Sequence, residues 1–164
     1  MLTMPEIVEW GPKPYIAVRL PVIMPFGEEI DPAFDELFKA FAHAGVEPHG
    51  VEFIKFNLVD MPRLEIETGM TTYAAIPLTG RMVSGVLPKG RYVRMTYTGP
   101  YESLYDATAM LVGWAKERGL RWDADTTEKG DVFACRLELH DNNPSTEPDP
   151  AKLRTTLLFK LAEP

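Results

Sequence analysis

The stretch GRYVRMTYTGPYESLYDATAMLVGWAKERG, residues 90–119, joins a strand pattern directly to a helix pattern. Its first residues form a strand-like run that reaches Gly99 and Pro100, and proline cannot donate to a strand ladder. The segment beyond has apolar residues at helical spacing on one stripe, namely Leu104, Ala107, Leu111 and Trp114. The stretch therefore predicts a strand followed at once by a helix that stops at Gly119.

The first half of the chain shows the same succession. The segment YIAVRLP, residues 15–21, is typical of a strand that is closed by prolines. Asp31 is a good N-cap for a following helix, with Pro32 at its first position, and Gly45 ends the element. One face of this helix is apolar and must pack on other elements: Phe34, Leu37, Phe38 and Phe41.

Two further strands follow each helix. Residues 51–59 and 63–69 are joined by a short DMP turn and predict a hairpin, while 132–139 and 153–161 are separated by a loop rich in proline. The segment 81–87 predicts a connecting strand. The pattern indicates an α+β fold made of duplicated strand-helix-strand-strand repeats with pseudo-twofold symmetry. We expect one domain over residues 1–164, with repeats at about 6–80 and 81–164.

Polar and apolar residues alternate in the segment VFACRLELH, residues 132–140. Two helices on one face of an antiparallel sheet leave the other face open as a groove. Because Cys135, Leu137 and Leu139 alternate with polar neighbours, we expect these three residues to face the helices. The open groove would then be lined by Ala134, Arg136, Glu138 and His140, although such a set is most often an ordinary solvated strand face.

Composition excludes several classes of function. The 164 residues are enough for one well-buried core, and the net charge of −7 argues against binding to nucleic acid. We expect no membrane contact and a cytoplasmic location, since no apolar run approaches a membrane span and no export signal is present. The single cysteine, Cys135, fits a buried and inert thiol. His43, His49 and His140 lack metal-ligand spacing, so neither a metal nor another cofactor is expected.

The ordered motifs resemble those of the GyrI-like effector-binding family, which includes gyrase-inhibitory proteins and the ligand-binding modules of multidrug-responsive transcription activators. LPKGRYVRMTYTGPYESL, residues 87–104, resembles the family's strand that runs into a Gly-Pro-Tyr-Glu helix start. LELHDNNP, residues 137–144, resembles its Glu-x-Tyr-x-x-Asp-Pro segment, and RLEIETG resembles its acidic strand ending in glycine. The resemblance extends from about Glu6 to Leu161.

The resemblance implies a ligand cleft between the repeats, with aromatic walls and one glutamate. That glutamate falls on Glu138, where a carboxylate would attract a delocalised cation, and the family's second-strand aromatic falls on Phe56. Two positions depart from the family: His140 replaces a tyrosine, and Thr156 stands where an acidic residue is frequent. Both departures make the cleft less acidic. Further candidate ligand contacts are Tyr101, Tyr105 and Trp114, each of which also fits a packing role.

Three functions follow from the resemblance. The first is a stand-alone protein that captures hydrophobic aromatic compounds, including cationic xenobiotics, in the cleft. The second is a cofactor-free hydrolase that opens strained cyclopropane rings of aromatic toxins, with Glu138 orienting or deprotonating water. The third is a module that binds a protein partner through an acidic surface. Pairing of Glu65 or Glu67 with Glu138 as acid and base is an alternative, but their strand of alternating charge predicts a solvated face.

Overall fold

The computed structural model describes residues 1–164 as one extended antiparallel sheet with two α-helices. The first half contains β1 (Glu6–Trp10), β2 (Lys13–Ile23), α1 (Ile30–Ala44), β3 (Glu52–Asp60), β4 (Arg63–Thr71) and β5 (Met82–Leu87). The second half contains β6 (Gly90–Thr98), α2 (Leu104–Glu117), β7 (Ala124–Thr127), β8 (Gly130–Phe133), β9 (Arg136–His140) and β10 (Arg154–Lys160). Short 3-10 turns at Tyr101–Ser103 and Pro150–Lys152 precede α2 and β10. Neither helix is long and apolar enough to cross a membrane.

The strand order places β9 and β3 at the centre of the sheet. The order is β1-β6-β10-β9-β3-β4-β2-β5, so β1 and β5 form the two edges. The β7–β8 hairpin adds to the far end of β3. Every pairing is antiparallel, as the sequence predicts for strands joined by turns and helices.

The two helices pack on different parts of the same face of the sheet. The apolar face of α1, with Phe34, Leu37 and Phe41, packs on a cluster that includes β2, β3 and β4. The apolar face of α2, with Ala107 and Leu111, packs on β6 and β10. A third buried cluster contains no helical residue and lies on the opposite side of the sheet, which we call the helix-free face. The sheet therefore carries core on both faces.

Most predicted elements are confirmed, with local differences. The first helix begins at Ile30, so Asp31 lies in its first turn rather than at the N-cap, where its carboxylate meets the positive end of the helix dipole. The segment 132–139 is divided between β8 and β9 because the chain leaves the β7–β8 hairpin and joins β10. The sequence did not predict β1 or β7, both of which are short.

The predicted orientation of β9 is wrong. Glu138 pairs with Ile54 on β3 and with Leu157 on β10, and these two residues belong to the cores beneath α1 and α2. Side chains of paired residues share a face, so Glu138 points to the helix side of the sheet. Cys135 and Leu137 instead pack in the cluster on the helix-free face. The reason is that β9 lies between the two helices, where the helix side is left uncovered.

Candidate functional site

The gap between α1 and α2 has the central strands as its floor, and we call it the inter-helix cleft. Residues at every second position of β9 and β3 share the helix side of the sheet, because Glu52 pairs with His140 and Ile54 pairs with Glu138. The cleft floor consists of Arg136, Glu138, His140, Glu52, Ile54 and Phe56. The three β9 residues are polar, and none of their side chains makes a hydrogen bond or an ion pair within the protein.

Glu138 lies at the middle of the floor, between apolar neighbours. It is partly buried beside Ile54 and Leu157, and its carboxylate has no protein partner. Burial raises the pKa of Glu138 to about 7, and the nearby Arg136 guanidinium opposes this rise only in part. At neutral pH the group is therefore divided between its acid and its carboxylate forms. Such a group can accept a proton, donate one, or attract a cation.

His140 lies between aromatic residues from both helix regions. Its ring centroid is 6.2 Å from that of Phe34 on α1 and 5.9 Å from that of Tyr101, in the turn before α2, with the Tyr101 ring nearly parallel. Burial lowers the pKa of His140 to about 4, so the imidazole is neutral at pH 7. A neutral imidazole adds a flat aromatic surface without adding positive charge. These three rings form one aromatic end of the cleft.

Acidic groups surround the phenol of Tyr101. Burial raises the pKa of Tyr101, and the charges of Glu52, Glu138 and Asp31 raise it further. Burial also raises the pKa of Glu52, which pairs with His140 across β3 and β9. The His140 end of the cleft is thus the acidic end, and it holds the Tyr101 hydroxyl as a neutral hydrogen-bonding group.

Arg136 occupies the opposite end of the floor. Its guanidinium carbon lies 5.3, 5.1 and 4.7 Å from the ring centroids of Phe56, Phe133 and Phe159, respectively. Burial lowers the pKa of Arg136, and its buried Nε has no hydrogen-bond partner. An arginine guanidinium keeps its charge in proteins. This end of the cleft therefore carries a positive charge held among phenyl rings.

The structure brings together four of the six predicted ligand contacts. Glu138, His140 and Phe56 lie on the cleft floor, and Tyr101 stacks on His140. The other two are placed differently. Trp114 packs against the core beneath α2, with the Arg118 guanidinium 4.1 Å above its ring, and Tyr105 is 61% exposed.

Several residues in or beside the cleft were not predicted as ligand contacts. Phe34 was assigned only to the helix core, and Glu52 carried no predicted role. Thr155, rather than Thr156, lies on the helix side of β10, because Thr155 pairs with His140. Its buried hydroxyl has no partner, whereas the Thr156 hydroxyl donates to Asp141 on the helix-free side. Strand register, which sequence alternation does not supply, was the missing information.

The helix-free face contains a second buried glutamate, with a different environment. Glu67 is 1% exposed, which corrects its predicted solvated position. The Tyr15 hydroxyl donates to its Oε1 at 2.8 Å, Asn57 Nδ2 donates to its Oε2, and Lys55 Nζ lies 3.7 Å from Oε2. Arg19 Nη2 adds a contact of 3.5 Å. Glu67 and Glu138 therefore face opposite sides of the sheet and cannot act as an acid-base pair.

A groove of about 810 Å³ also opens on the helix-free side. Trp10, Thr96 and Thr156 line it, together with two ion pairs, Arg94 with Glu6 and Arg154 with Asp141. Its lining also includes His140 and Glu52, from the His140 end of the inter-helix cleft. The Glu138 carboxylate is not part of this groove. No group of three or more His, Cys, Asp or Glu side chains is arranged to hold a metal ion.

Comparison with known proteins places this geometry in a family. The model of the GyrI-like small-molecule-binding domain matches residues 3–161. No curated protein matches the chain significantly. Among solved structures, EcmrR in its complex with DNA superposes with a TM-score of 0.74 at 17% identity. That match covers 98% of this chain but only 58% of EcmrR.

Two further solved structures share the fold. A hydrolase from Listeria innocua has a TM-score of 0.66 at 16% identity, and the match covers 96% of this chain and 91% of the hydrolase. SAV2435 bound to tetraphenylphosphonium has a TM-score of 0.55 at 8% identity, over 98% of this chain and 94% of SAV2435. At such low identities these similarities establish the fold alone.

Proposed function

The chain belongs to the GyrI-like small-molecule-binding domain family, and from this premise we propose that it captures hydrophobic aromatic compounds in the inter-helix cleft. The observation that carries the proposal is the set of three β9 side chains without protein partners, Arg136, Glu138 and His140, at the base of an aromatic gap. These three side chains are half-buried, and polar groups withdrawn from water are nearly always paired within a protein, so such a row fits groups that bind a ligand.

Aromatic ligands suit the walls of this cleft. Flat rings of Phe34, Tyr101 and His140 come from three different elements and leave their faces for stacking on a ligand ring. Phe26 packs against Phe56 with ring centroids 6.3 Å apart and extends the apolar surface. SAV2435, which shares the fold, is bound to tetraphenylphosphonium, a compound with four phenyl groups. A ligand of this kind would bury its rings against these side chains.

We also propose that the two halves of the domain are repeats related by a pseudo-twofold axis, as the sequence pattern predicts. From the centre outwards, one half of the sheet has the order β3-β4-β2-β5 and the other half has β9-β10-β6-β1. In each half the helix follows the third strand of that order. This correspondence supports a cleft that lies on the axis between the repeats.

A binding screen on wild type and Glu138→Gln tests the proposed function. Thermal shift and intrinsic fluorescence are measured with neutral and cationic aromatic compounds. Ligands that bind the folded state raise the melting temperature in proportion to RT ln(1 + [L]/Kd), and fluorescence should saturate along the same curve. Wild type is expected to bind, and Glu138→Gln to show altered affinity.

The matched control is Glu65→Gln, a partly exposed glutamate on β4 that pairs with Arg19. Its affinity for every compound should equal that of wild type, because Glu65 lies outside the cleft. A failure of all aromatic compounds to bind wild type would remove the proposal, and equal loss in both variants would mean that Glu138 has no special role.

One observation favours hydrolysis as a second candidate function. The pKa of Glu138 is raised to about 7, which is near the optimum for a general base at neutral pH, and the neutral His140 lies two residues away. In this candidate reaction, Glu138 accepts a proton from water while the water oxygen bonds to an electrophilic cyclopropane carbon of the bound aromatic compound. The ring C–C bond to that carbon breaks, and the carbon that leaves with the electron pair takes the proton back from Glu138. A hydrolase from Listeria innocua has the same fold.

Mass spectrometry distinguishes hydrolysis from simple capture. Aromatic compounds that carry a strained cyclopropane ring are incubated with wild type, Glu138→Gln and Glu65→Gln. Hydrolysis yields a product heavier by one water, formed by wild type and Glu65→Gln but not by Glu138→Gln. Recovery of unchanged compound from a wild-type protein that binds it would exclude this activity for that compound and leave capture as the function.

A further inference from the structure

Arg136 is a partly buried cation without an anionic partner, and its Nε is fully buried. The protein has two buried cations, Lys55 at 9% and Lys160 at 6% exposure, and both lie on the helix-free face. Lys55 pairs with Glu67 at 3.7 Å, and Lys160 pairs with Asp123 at 2.9 Å. Arg136 makes no ion pair, and its buried Nε donates no hydrogen bond. Arg136 therefore differs from both buried lysines, each of which has an acidic partner.

The neighbours of Arg136 satisfy its guanidinium only in part. Three phenyl rings at 4.7 to 5.3 Å attract the positive charge, but a ring face accepts no strong hydrogen bond. Glu138 and Asp131 are the acidic groups that influence it, and neither forms an ion pair with it. A buried charge whose donors are unused is costly unless a partner supplies the missing contacts.

The position of Arg136 in the cleft indicates where that partner comes from. Arg136, Glu138 and His140 follow one another along the same face of β9, so the row is about 13 Å long at the usual rise per residue. One end holds the stacked rings of His140 and Tyr101, and the other holds the cation. An elongated ligand that stacks at the first end would bring its far substituent to Arg136.

We propose that Arg136 binds an anionic substituent of the ligand, so that the inter-helix cleft selects elongated aromatic acids over aromatic cations. This inference rests on the proposed function, since it assigns a charge to the ligand of the same cleft. A carboxylate matches the planar fork of guanidinium donors and can accept two hydrogen bonds at once. A ligand cation would be repelled by Arg136 at this end.

The test uses three para-substituted biphenyls that differ only in charge: biphenylcarboxylate, biphenylmethanol and biphenylmethylammonium. Affinities are measured by titration calorimetry on wild type. We expect the carboxylate to bind about tenfold or more tightly than the alcohol, as for a hydrogen bond to a charged group, and the ammonium to bind most weakly. An ammonium that binds as tightly as the carboxylate overturns the inference without the use of any variant.

Variants locate the effect. Arg136→Gln should reduce the affinity for the carboxylate to that for the alcohol, while Arg136→Lys, which keeps the charge, should retain part of the preference. Arg63→Gln is the control, because the Arg63 side chain is 73% exposed and pairs with Asp60 at the β3–β4 turn. An unchanged preference in a folded Arg136→Gln protein contradicts the assignment.

The same series separates the inference from the function on which it rests. If the alcohol binds and charge makes no difference, aromatic capture stands and the role of Arg136 is wrong. If none of the three biphenyls binds, the capture of elongated aromatic compounds fails, and the inference fails with it.

Discussion

Two glutamates on opposite faces of the same sheet differ in how their carboxylates are satisfied. Glu67, on the helix-free face, contacts Tyr15, Asn57, Lys55 and Arg19. Glu138, on the helix side, contacts no polar group of the protein, and burial raises its pKa to about 7. The difference lies in the surroundings rather than in residue type. Glu67 has the environment of a structural charge, and Glu138 has that of a group kept for a ligand or a reaction.

The two faces of the sheet also differ in how they are covered. On the helix-free face, Tyr15, Phe53 and Tyr92 pack into a core that leaves little access to solvent. On the helix side, α1 packs on β2, β3 and β4 and α2 packs on β6 and β10, and the polar residues of β9 lie between the two helices. Charged side chains on the helix-free face have hydrogen-bond or ion-pair partners, whereas those in the inter-helix cleft have none. This difference distinguishes the packed face of the sheet from the candidate binding face.

The largest expected effect is a difference in stability between two variants in which glutamine replaces a glutamate, Glu67→Gln and Glu138→Gln. Glu67→Gln removes the negative charge beside buried Lys55, and breaking a buried pair in this way typically costs about 3–5 kcal/mol in the free energy of unfolding. Glu138→Gln removes a poorly solvated carboxylate without a partner and should not lose stability at pH 7. Urea denaturation measures both. Equal losses would mean that the two sites do not differ as described.

The next effect is the pH dependence of the difference in unfolding free energy between Glu138→Gln and wild type. The pKa of Glu138 rises from 4.5 in the unfolded chain to about 7 in the folded protein. The folded state thus favours the protonated form, and this contribution is complete below pH 4.5 and lost as pH rises through about 7. Glu138→Gln should match wild type near the acidic limit and exceed it above neutrality by on the order of 3 kcal/mol.

His140 gives this experiment an internal control of opposite sign. Its pKa falls from 6.5 to about 4 on folding, so its contribution is present above pH 6.5 and lost as pH falls through about 4. His140→Phe should remove the part of the acid sensitivity that comes from this group. A Glu138→Gln difference that stays constant between pH 4.5 and 7 would contradict the assignment of a desolvated carboxylate.

A smaller effect on ligand affinity separates two tyrosines near the start of α2. Tyr101 stacks on His140 within the cleft, whereas Tyr105 is 61% exposed. An aromatic contact contributes about 0.5–1.5 kcal/mol beyond its buried area, so Tyr101→Ala should weaken binding of an aromatic compound by roughly tenfold. Tyr105→Ala should leave the affinity unchanged. Fluorescence titration measures both, and a larger loss in Tyr105→Ala would shift the site along the helix.

The smallest effect concerns the reactivity of the Cys135 thiol on the helix-free face. Cys135 is buried beside Tyr92 in the helix-free cluster, and burial raises its pKa to about 11. The thiol should therefore react with a disulfide reagent only when the protein unfolds, with no change on addition of an aromatic ligand. Rapid labelling of the folded protein would show that this face of β9 is open and would undermine the comparison.

Sequence patterns predicted the two helices and most of the strands because these depend on local spacing. Alternation also separated Cys135 and Leu137 from Glu138 and His140, but it could not say which set faces the helices. That choice depends on register with β3 and β10, which places Glu138 between Ile54 and Leu157. The resemblance to a family supplied Glu138, His140 and Phe56 as candidates, and the start of the second helix supplied Tyr101. Their role in binding stays a prediction.

Other parts of the cleft depend on contacts between distant segments. Phe34 belongs to the apolar stripe of α1 in sequence, yet its ring also reaches His140 across the sheet. The lack of an acidic partner for Arg136 is recognised only by comparison with the buried lysines, each of which forms an ion pair. Nothing in local spacing distinguishes such residues from ordinary core or surface positions.

The most direct test of the account is a crystal structure of the protein with a bound aromatic ligand. Two openings compete for the compound: the inter-helix cleft above Glu138, and the groove on the helix-free side beside Trp10 and Thr156. We predict electron density between α1 and α2, with a ligand ring stacked near His140 and Tyr101. Density in the helix-free groove, with the inter-helix cleft unchanged, would contradict the central claim.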